Sequence, residues 1–503
     1  MNVLLVYPRF PDTYWSFRYA LSFQGKRAAQ PPLGLMTVAA LLPHSWNKRL
    51  VDANVERLRD RELGWADIAF IGGMQVQQGE LVGIVRRCRA RGLRTVVGGP
   101  ITSSVPQSEL ECDHVVIGEA EDLIDGLAGD LERGTARAHY ESAERPGLER
   151  SPLPDLSLIR MERYSTMTVQ CSRGCPFNCE FCDIIEIYGR RPRNKDAAQV
   201  VRELDQLYGA GWRGPVFIVD DNFIGNKLRA RLLLAAIGDW QRAHSHAFRF
   251  ITEASLNLAD DPALLQSMKD AGFASVFLGI ETPDESSLAA TNKLQNTRRD
   301  LLDSVATIQG YGIEVMGGFI LGFDTDREDI FDRLVEFIQK SAIPIAMVGL
   351  LQAIPGTQLF RRLTHEGRIV DSGGGNNTAC HLNFRPSMNA ERLIEGYRSV
   401  LRRIYASEPY YRRVRQYLSR CRPRYHPQFS FGNVRAVVLS VVRQGIFGKS
   451  RASYWKFVGA AATRHRDSFG AAMTLAIMGY HFQIVTEQLL DGVLDGSTDR
   501  LPI

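Results

Sequence analysis

Three cysteines lie close together on this 503-residue chain at the spacing C-x3-C-x2-C: Cys175, Cys179 and Cys182. Thiolates at this spacing on a short loop can bind three irons of a cubane cluster and leave the fourth iron without a protein ligand. Such an open iron can coordinate a small molecule and pass one electron to it. The loop therefore predicts redox chemistry at a [4Fe-4S] cluster.

A zinc site is the alternative for the same loop. Zinc in a structural site needs four ligands in a closed arrangement, and Cys171 could supply the fourth. The spacings of three, three and two residues do not form the paired CxxC knuckles of zinc modules, and a barrel pattern follows. We therefore favour the cluster, with Cys171 as a small buried neighbour.

A repeated strand–helix pattern follows the cysteine loop. It predicts six buried strands, near residues 166–170, 215–219, 248–252, 275–279, 314–321 and 345–350. Such a run indicates a (β/α)6 partial TIM barrel, whose site lies at the carboxyl ends of the strands. Residues suited to a ligand stand at those ends: Asp220, Asp221, Glu253, Glu281 and Gly322. Carboxylates there suit amino and hydroxyl donors.

The first 140 residues show a second alternation of short apolar strands and helices. Strands that are apolar throughout predict a parallel sheet covered on both faces, which is a doubly wound, Rossmann-like α/β domain. Glycine-rich turns follow three strands, at Gly72-Gly73, Gly98-Gly99 and Gly118. Ligands of such sheets lie beyond the carboxyl ends of the strands, so a large flat cofactor could rest there. Because glycine at these turns is commonly structural, the turns alone do not establish a ligand.

With these motifs together, the chain resembles the cobalamin-dependent radical S-adenosylmethionine (SAM) enzymes, in the group that contains the hopanoid 2-methylase. The resemblance rests on Pro-Pro-Leu-Gly-Leu at 31–35, Gly-Cys-Pro-Phe-Asn-Cys-Glu-Phe-Cys at 174–182 and Val-Asp-Asp-Asn-Phe-Ile-Gly-Asn at 219–226. It covers essentially the whole chain. It implies three cofactors, which are a [4Fe-4S] cluster, SAM and cobalamin.

The resemblance also implies which residues bind the cofactors. Cys175, Cys179 and Cys182 would ligate the cluster, Phe181 and Gly322 would flank the adenine of SAM, and the acidic strand ends would contact its amino group and ribose. The implied cobalamin contacts are Pro32, Gly34, Asp52, Gly73, Met74, Gln75, Gly98, Gly99, Gly118 and Glu119. The loop at 8–16 contains no histidine, so the lower face of cobalt would be left to water or to side chains such as Gln75 and Gln77.

The reaction implied by the resemblance is transfer of a methyl group to an unactivated carbon of a small-molecule or lipid-like substrate, hopanoid among them. It would use one SAM to methylate cobalt and a second SAM to generate an adenosyl radical. Two alternatives stay open: a cyclisation or rearrangement that uses the same cofactors, and a non-catalytic cobalamin or cluster sensor. An RNA methylthiotransferase is disfavoured, because only Cys88 and Cys112 precede residue 171 and that class needs three further cluster cysteines.

The predicted domains are 1–140 (cobalamin-binding), 141–160 (linker), 161–370 (radical SAM barrel) and 371–503 (helical). The first residues indicate a buried strand without a signal peptide, and the apolar stretch 469–485, interrupted by Tyr480, His481 and Gln483, predicts a packed helix.

We expect a cytoplasmic enzyme that is reduced by a flavodoxin or ferredoxin. Arginines interleaved with aromatic residues in the tail could serve an anionic or lipid-like substrate or contact the inner membrane, but a solvated basic face is the favoured explanation. A net charge of +5 gives no reason to expect nucleic acid.

Overall fold

In the computed structural model, residues 1–142, 144–421 and 431–492 are described. The described part contains two six-stranded sheets and a helical region. The end of the predicted helical domain, residues 493–503, lies outside the described residues.

The first sheet contains only parallel strands, in the order β2-β1-β3-β4-β5-β6. Its strands are β1 (Asn2–Tyr7), β2 (Asn47–Asp52), β3 (Ile68–Gly72), β4 (Arg94–Gly98), β5 (His114–Ile117) and β6 (His139–Glu141). The helices between them are α1 (Arg18–Gln24), α2 (Leu33–Leu41), α3 (Asp60–Trp65), α4 (Gln78–Arg89), α5 (Gln107–Leu110) and α6 (Ile124–Arg133). Separate apolar cores lie on its two faces, as the continuous apolar strands require. Strand order reverses between β1 and β3, where doubly wound sheets bind their ligands.

The second sheet is a partial barrel of parallel strands in the order β14-β13-β12-β11-β10-β7. Its strands are β7 (Met167–Val169), β10 (Pro215–Ile218), β11 (Arg249–Ala254), β12 (Phe273–Glu281), β13 (Glu314–Leu321) and β14 (Ile345–Leu350). A short antiparallel pair, β8 (Ser172–Arg173) and β9 (Arg193–Asn194), encloses the cysteine loop and α7 (Ile184–Ile187). The outer helices are α8 (Ala197–Gly209), α9 (Lys227–Ala243), α10 (Pro262–Asp270), α11 (Glu285–Ala290), α12 (Leu301–Gly310), α13 (Ile330–Ser341) and α14 (Gln358–His365).

The helical region consists of α15 (Ala390–Tyr405), α16 (Ser407–Arg420), α17 (Phe431–Ser440), α18 (Arg451–Arg464) and α19 (Phe469–Leu490), with a π-helical turn at Val441–Ile446. Among the described helices, one that spans Arg466–Leu490 is long and apolar enough to cross a membrane, and 56% of its most apolar window is buried. Helix α19 packs against α1, α15, α16, α17 and α18. It extends beyond the apolar stretch 469–485, and its burial agrees with the prediction of a packed helix.

The segment after β1 joins the first sheet to the helical region. Tyr14 packs against Tyr405 and Phe482, and its hydroxyl lies 2.7 Å from Thr486 Oγ1. The buried imidazole of His481 contacts the Tyr14 carbonyl, with Nε2 3.0 Å from the oxygen. Tyr14 therefore holds the amino-terminal unit to the helical tail, although the sequence predicted the two as separate domains.

Candidate active site

The cysteine loop leaves β8 at Gly174, where only glycine fits. Gly174 has a φ of +93°, and an added Cβ would lie 2.8 Å from the carbonyl oxygen of Gly189. The next backbone amide, that of Cys175, donates to the same Gly189 carbonyl, and the Cys182 amide donates to Cys179. These contacts shape a compact loop with Cys179 buried and Cys175 and Cys182 partly exposed.

Cys171 does not join the three loop thiols in a closed metal site. Among the described residues, no group of three or more His, Cys, Asp or Glu side chains is placed to hold one metal ion. Cys171, the proposed fourth zinc ligand, is buried within the barrel core. The described part of the chain therefore lacks the closed, four-ligand arrangement that structural zinc needs. Burial raises the pKa of the Cys175 and Cys182 thiols, so iron binding would have to displace their protons.

Two side-chain amides face the cysteine sulfurs. Asn222 Nδ2 lies 3.8 Å from Cys175 Sγ, and Gln295 Nε2 lies 3.5 Å from Cys179 Sγ. Hydrogen bonds to ligating sulfurs change the reduction potential of a cluster and orient its ligands. Sequence reasoning missed Gln295 as a site residue and mentioned Asn222 only as part of a strand-end motif. Gln295 comes from a distant segment that carries no local signature, so only the tertiary fold identifies it.

The two aspartates after β10 support the loop. Asp220 Oδ1 accepts from the amides of Cys171 (2.7 Å) and Ser172 (2.9 Å), and Asp221 Oδ2 accepts from the amide of Gly174 (2.8 Å). Neither residue lines the cavity described below. These bonds let the two carboxylates position the backbone at the start of the cysteine loop. Their direct contact with SAM stays a prediction.

Glu281 ends β12 in the left-handed conformation, with φ +67°, beside a lysine that sequence reasoning missed. Lys293 Nζ lies 2.6 Å from Glu281 Oε1, and both side chains are largely buried. The ammonium also lies 6.0 Å from the centroid of the Phe181 ring, which packs on Phe323. Glu281 was predicted to contact SAM directly, but in the structure its carboxylate is paired with Lys293.

Glu253 is the acidic strand end that faces open space. It lines the cavity, and no described residue donates a side-chain hydrogen bond to its carboxylate. Burial, with the nearby charges of Asp221 and Asp220, raises its pKa to about 8. Gly322, with φ +110°, turns the chain after β13, and its amide donates to Asp326 Oδ2 at 2.8 Å.

The carboxyl edge of the first sheet faces the cysteine loop across the cavity. Eight of its ten predicted cobalamin contacts line the cavity, namely Pro32, Gly34, Gly73, Met74, Gly98, Gly99, Gly118 and Glu119. Gly99 has a φ of +91°, and an added Cβ would lie 3.0 Å from the carbonyl oxygen of Gly73. Backbone therefore forms much of this wall.

The other two predicted contacts turn away from the cavity. Asp52 accepts from the backbone and side chain of Asn54 and from the hydroxyl of Tyr164 at 3.0 Å. Gln75 Nε2 donates to the carbonyls of Ser372 (3.1 Å) and Gly373 (3.2 Å). The amide of Gln77 is likewise engaged, with Pro8 and Met74. The idea that Gln75 or Gln77 covers the lower face of cobalt has no support in this arrangement.

A buried ion network ties the two facing walls together. Arg173 of β8 donates to Glu119 (2.6 Å) and to Glu121 (2.7 Å), and Arg193 of β9 also donates to Glu119. Because Glu119 is already paired twice, it supports the interface more than it offers a ligand group. Sequence reasoning could not pair these residues, since they lie more than fifty positions apart.

One cavity of about 4240 Å³ joins both walls. It touches the glycine turns, Phe181, Cys182 and Glu253, and continues into the barrel along Phe217, Ile251, Phe277 and Met316. A typical site for one small ligand holds roughly 300–1,000 Å³. The volume therefore has room for several ligands at once.

A cysteine loop of this spacing at the mouth of a six-stranded partial barrel defines a radical SAM enzyme. Residues 169–338 match the model of the Radical SAM superfamily, and residues 357–493 match a domain of unknown function, DUF4070. An uncharacterized methyltransferase of Synechocystis is 40% identical over 100% of this chain and 96% of its own length. The hopanoid C-2 methylase of Rhodopseudomonas palustris is 33% identical over 99% of this chain and 95% of its own.

The chain belongs to the family of radical SAM methyltransferases that contains this hopanoid C-2 methylase. Solved structures agree on the fold. The cobalamin-dependent radical enzyme OxsB, with aqua-cobalamin and SAM bound, matches with a TM-score of 0.61 and 14% identity, over 98% of this chain and 80% of its own. The methyltransferase TsrM from Kitasatospora setae, with cobalamin and a [4Fe-4S] cluster bound, matches with a TM-score of 0.56 and 14% identity, over 92% and 99%.

Proposed function

We propose that this protein is a cobalamin-dependent radical SAM C-methyltransferase that methylates an unactivated carbon of a lipid-like substrate. The observation that carries the proposal is the single cavity that joins the cysteine loop to the glycine turns of the first sheet. Family membership and the likeness of the fold support the same conclusion. The apolar lining inside the barrel favours an apolar substrate.

The two walls of the cavity would hold different cofactors. Cys175, Cys179 and Cys182 would hold the cluster, and the glycine turns would allow the cobalamin ring to approach the backbone closely. When bound, the cluster supplies the electron that cleaves SAM, and cobalamin supplies the methyl group. Asn222 and Gln295 direct the sulfurs, while Glu253 can orient a hydroxyl or amino group of a ligand at the mouth.

With the cofactors bound, the two walls would shield the reacting groups from water. The Arg173–Glu119–Arg193 network closes the interface on one side of the cysteine loop. Closed sites protect reactive intermediates from solvent, and an adenosyl radical needs such protection.

We further propose a flavodoxin or ferredoxin as the electron donor and a cytoplasmic location beside the inner membrane. Exposed apolar side chains of the helical region support membrane contact, and they are Val438, Ile446, Phe447 and Trp455.

The test is anaerobic reconstitution with iron, sulfide and cobalamin, followed by incubation with a reductant, methyl-labelled SAM and a bacterial lipid extract. We expect 5'-deoxyadenosine together with a labelled lipid, and neither product from a Cys175→Ala variant treated identically. Formation of 5'-deoxyadenosine with an unlabelled, altered product would instead establish a cyclisation or rearrangement. Cofactor binding without 5'-deoxyadenosine would indicate a sensor.

A further inference from the structure

The interior of the barrel is open where such barrels are usually filled. In closed TIM barrels, layers of inward side chains form a packed core. Here the inward residues of three neighbouring strands, Phe217, Ile251 and Phe277, are only partly buried and line the cavity. Trp15, from the segment after β1, packs on Phe277 with ring centroids 5.1 Å apart. The open column therefore has apolar and aromatic walls.

A polar cluster lies at the amino-terminal end of this column, away from the cysteines. Arg249 begins β11 and Glu314 begins β13, and both line the cavity. Ser275 of β12 pairs in register with Glu314 and also lines it. The Tyr417 hydroxyl lies 3.5 Å from Glu314 Oε2. The reaction at the cluster uses none of these four residues.

The cluster is costly to bury and is suited to a neutral polar group. A buried carboxyl loses hydration energy, and burial raises the pKa of Glu314 to about 7 against the opposing effect of Arg249. Arg249 offers N–H donors, and Glu314, Ser275 and Tyr417 carry oxygens that can accept or donate, so the cluster can pair with both the hydrogen and the oxygen of one ligand group. Such a set suits a hydroxyl group better than a phosphate or carboxylate.

The distance between the two ends fits one elongated molecule. Arg249 and Glu253 both face the cavity from β11, four residues apart. At about 3.3 Å per residue, they are separated by about 13 Å along the strand. An extended or polycyclic lipid can span this column with one end at Glu253 and the other at Arg249.

We propose that the amino-terminal end of the barrel binds the hydroxyl-bearing end of an elongated apolar substrate through Arg249, Glu314, Ser275 and Tyr417. The apolar body lies against Phe217, Ile251, Phe277 and Met316, which places the carbon to be methylated near Glu253 and the cysteine loop. The proposal rests on the proposed function, and it adds the orientation of the substrate and the group that is recognised at its far end.

The experiment measures binding to the reconstituted enzyme by equilibrium dialysis, so it does not depend on turnover. The probes are two radiolabelled polycyclic triterpenes with the same skeleton, one a hydrocarbon and one with a hydroxylated side chain. For Glu314→Leu we expect the Kd of the hydroxylated probe to rise about 10- to 100-fold, as for a lost hydrogen bond to a buried polar group. The Kd of the hydrocarbon should change by less than about two-fold, and Glu314→Gln, which keeps the hydrogen bonds, should restore most of the affinity.

Arg249→Met provides a second variant with the same expected selectivity, in case Glu314→Leu does not fold. Equal weakening of both probes, no weakening of either, or failure of both probes to bind the wild-type enzyme would overturn the proposal. The proposed function fails in a different way. In that case the wild-type enzyme still binds the two probes with different affinities, but it forms neither 5'-deoxyadenosine nor a product that carries the labelled methyl group.

Discussion

The two walls of the cavity hold their ligands by different means. At the edge of the first sheet, glycine backbone faces the cavity, and the acidic groups there are already bonded, Asp52 to Asn54 and Glu119 to arginines. At the barrel mouth, Cys182 of the cysteine loop and the buried carboxyl of Glu253 face the cavity. The first wall is suited to a large preformed cofactor recognised by shape, and the second to a cluster and a ligand bound by side chains.

This difference predicts that the two walls respond to opposite kinds of mutation. The barrel mouth should be sensitive to the loss of a charged side chain or of a cysteine that ligates the cluster. The edge of the first sheet should be sensitive to added volume and should tolerate changes in charge.

The largest effect on stability is expected from Lys293→Met. This change leaves the Glu281 carboxylate buried without its partner, and breaking such a pair costs about 3–5 kcal/mol. Denaturant unfolding of the reconstituted enzyme should show the loss. The double variant Lys293→Met/Glu281→Gln should recover part of it, and an unchanged unfolding midpoint for the single variant would show that the pair does not support the barrel mouth.

Gly34→Leu tests the opposite wall. Position 34 lies in α2 at the cavity, and an added Cβ meets no atom within 4 Å, so folding should be unaffected. If cobalamin fills this space, overpacking of about 1–3 kcal/mol should weaken its binding about 5- to 100-fold. Gly64→Leu, at an exposed position of α3 and equally free of contacts, is the matched control. Equal cobalamin affinity in both variants would place the cofactor elsewhere.

The effect expected from Glu253→Gln depends on pH. Because burial raises the folded-state pKa of Glu253 to about 8, the neutral carboxyl stabilises the fold at low pH, and this contribution is lost as pH rises from about 4.5 to 8. Thermal unfolding of the cofactor-free protein should therefore show a shallower fall in Tm across this window for the variant. A slope identical to that of the wild type and of the exposed control Glu336→Gln would refute the raised pKa.

Sequence patterns predicted the parts of the molecule that are encoded locally. The three cysteines lie on one loop, so their spacing is visible in the sequence. The apolar strands of both sheets alternate with helices over short stretches of the chain. The fold class follows from these two signals. Within the region predicted only as helical, the structure adds a π-helical turn at Val441–Ile446 between α17 and α18.

The contacts that complete the site join distant segments and could not be predicted from the chain. The folded barrel brings Lys293 to Glu281, Gln295 to Cys179 and Arg173 to Glu119. The aspartates were predicted as ligand contacts because they stand at a strand end. Their actual partners are loop amides, whose directions depend on the turn at Gly174.

The central claim is that Cys175, Cys179 and Cys182 hold a [4Fe-4S] cluster with one iron open to SAM. Electron paramagnetic resonance of the reduced, anaerobically reconstituted protein tests it most directly, with and without SAM and with Cys171→Ala and Cys179→Ala as a matched pair. The account predicts a cluster signal that shifts on addition of SAM in the wild type and in Cys171→Ala, and no such signal in Cys179→Ala. A signal that persists in Cys179→Ala, or one that does not respond to SAM in the wild type, would contradict it.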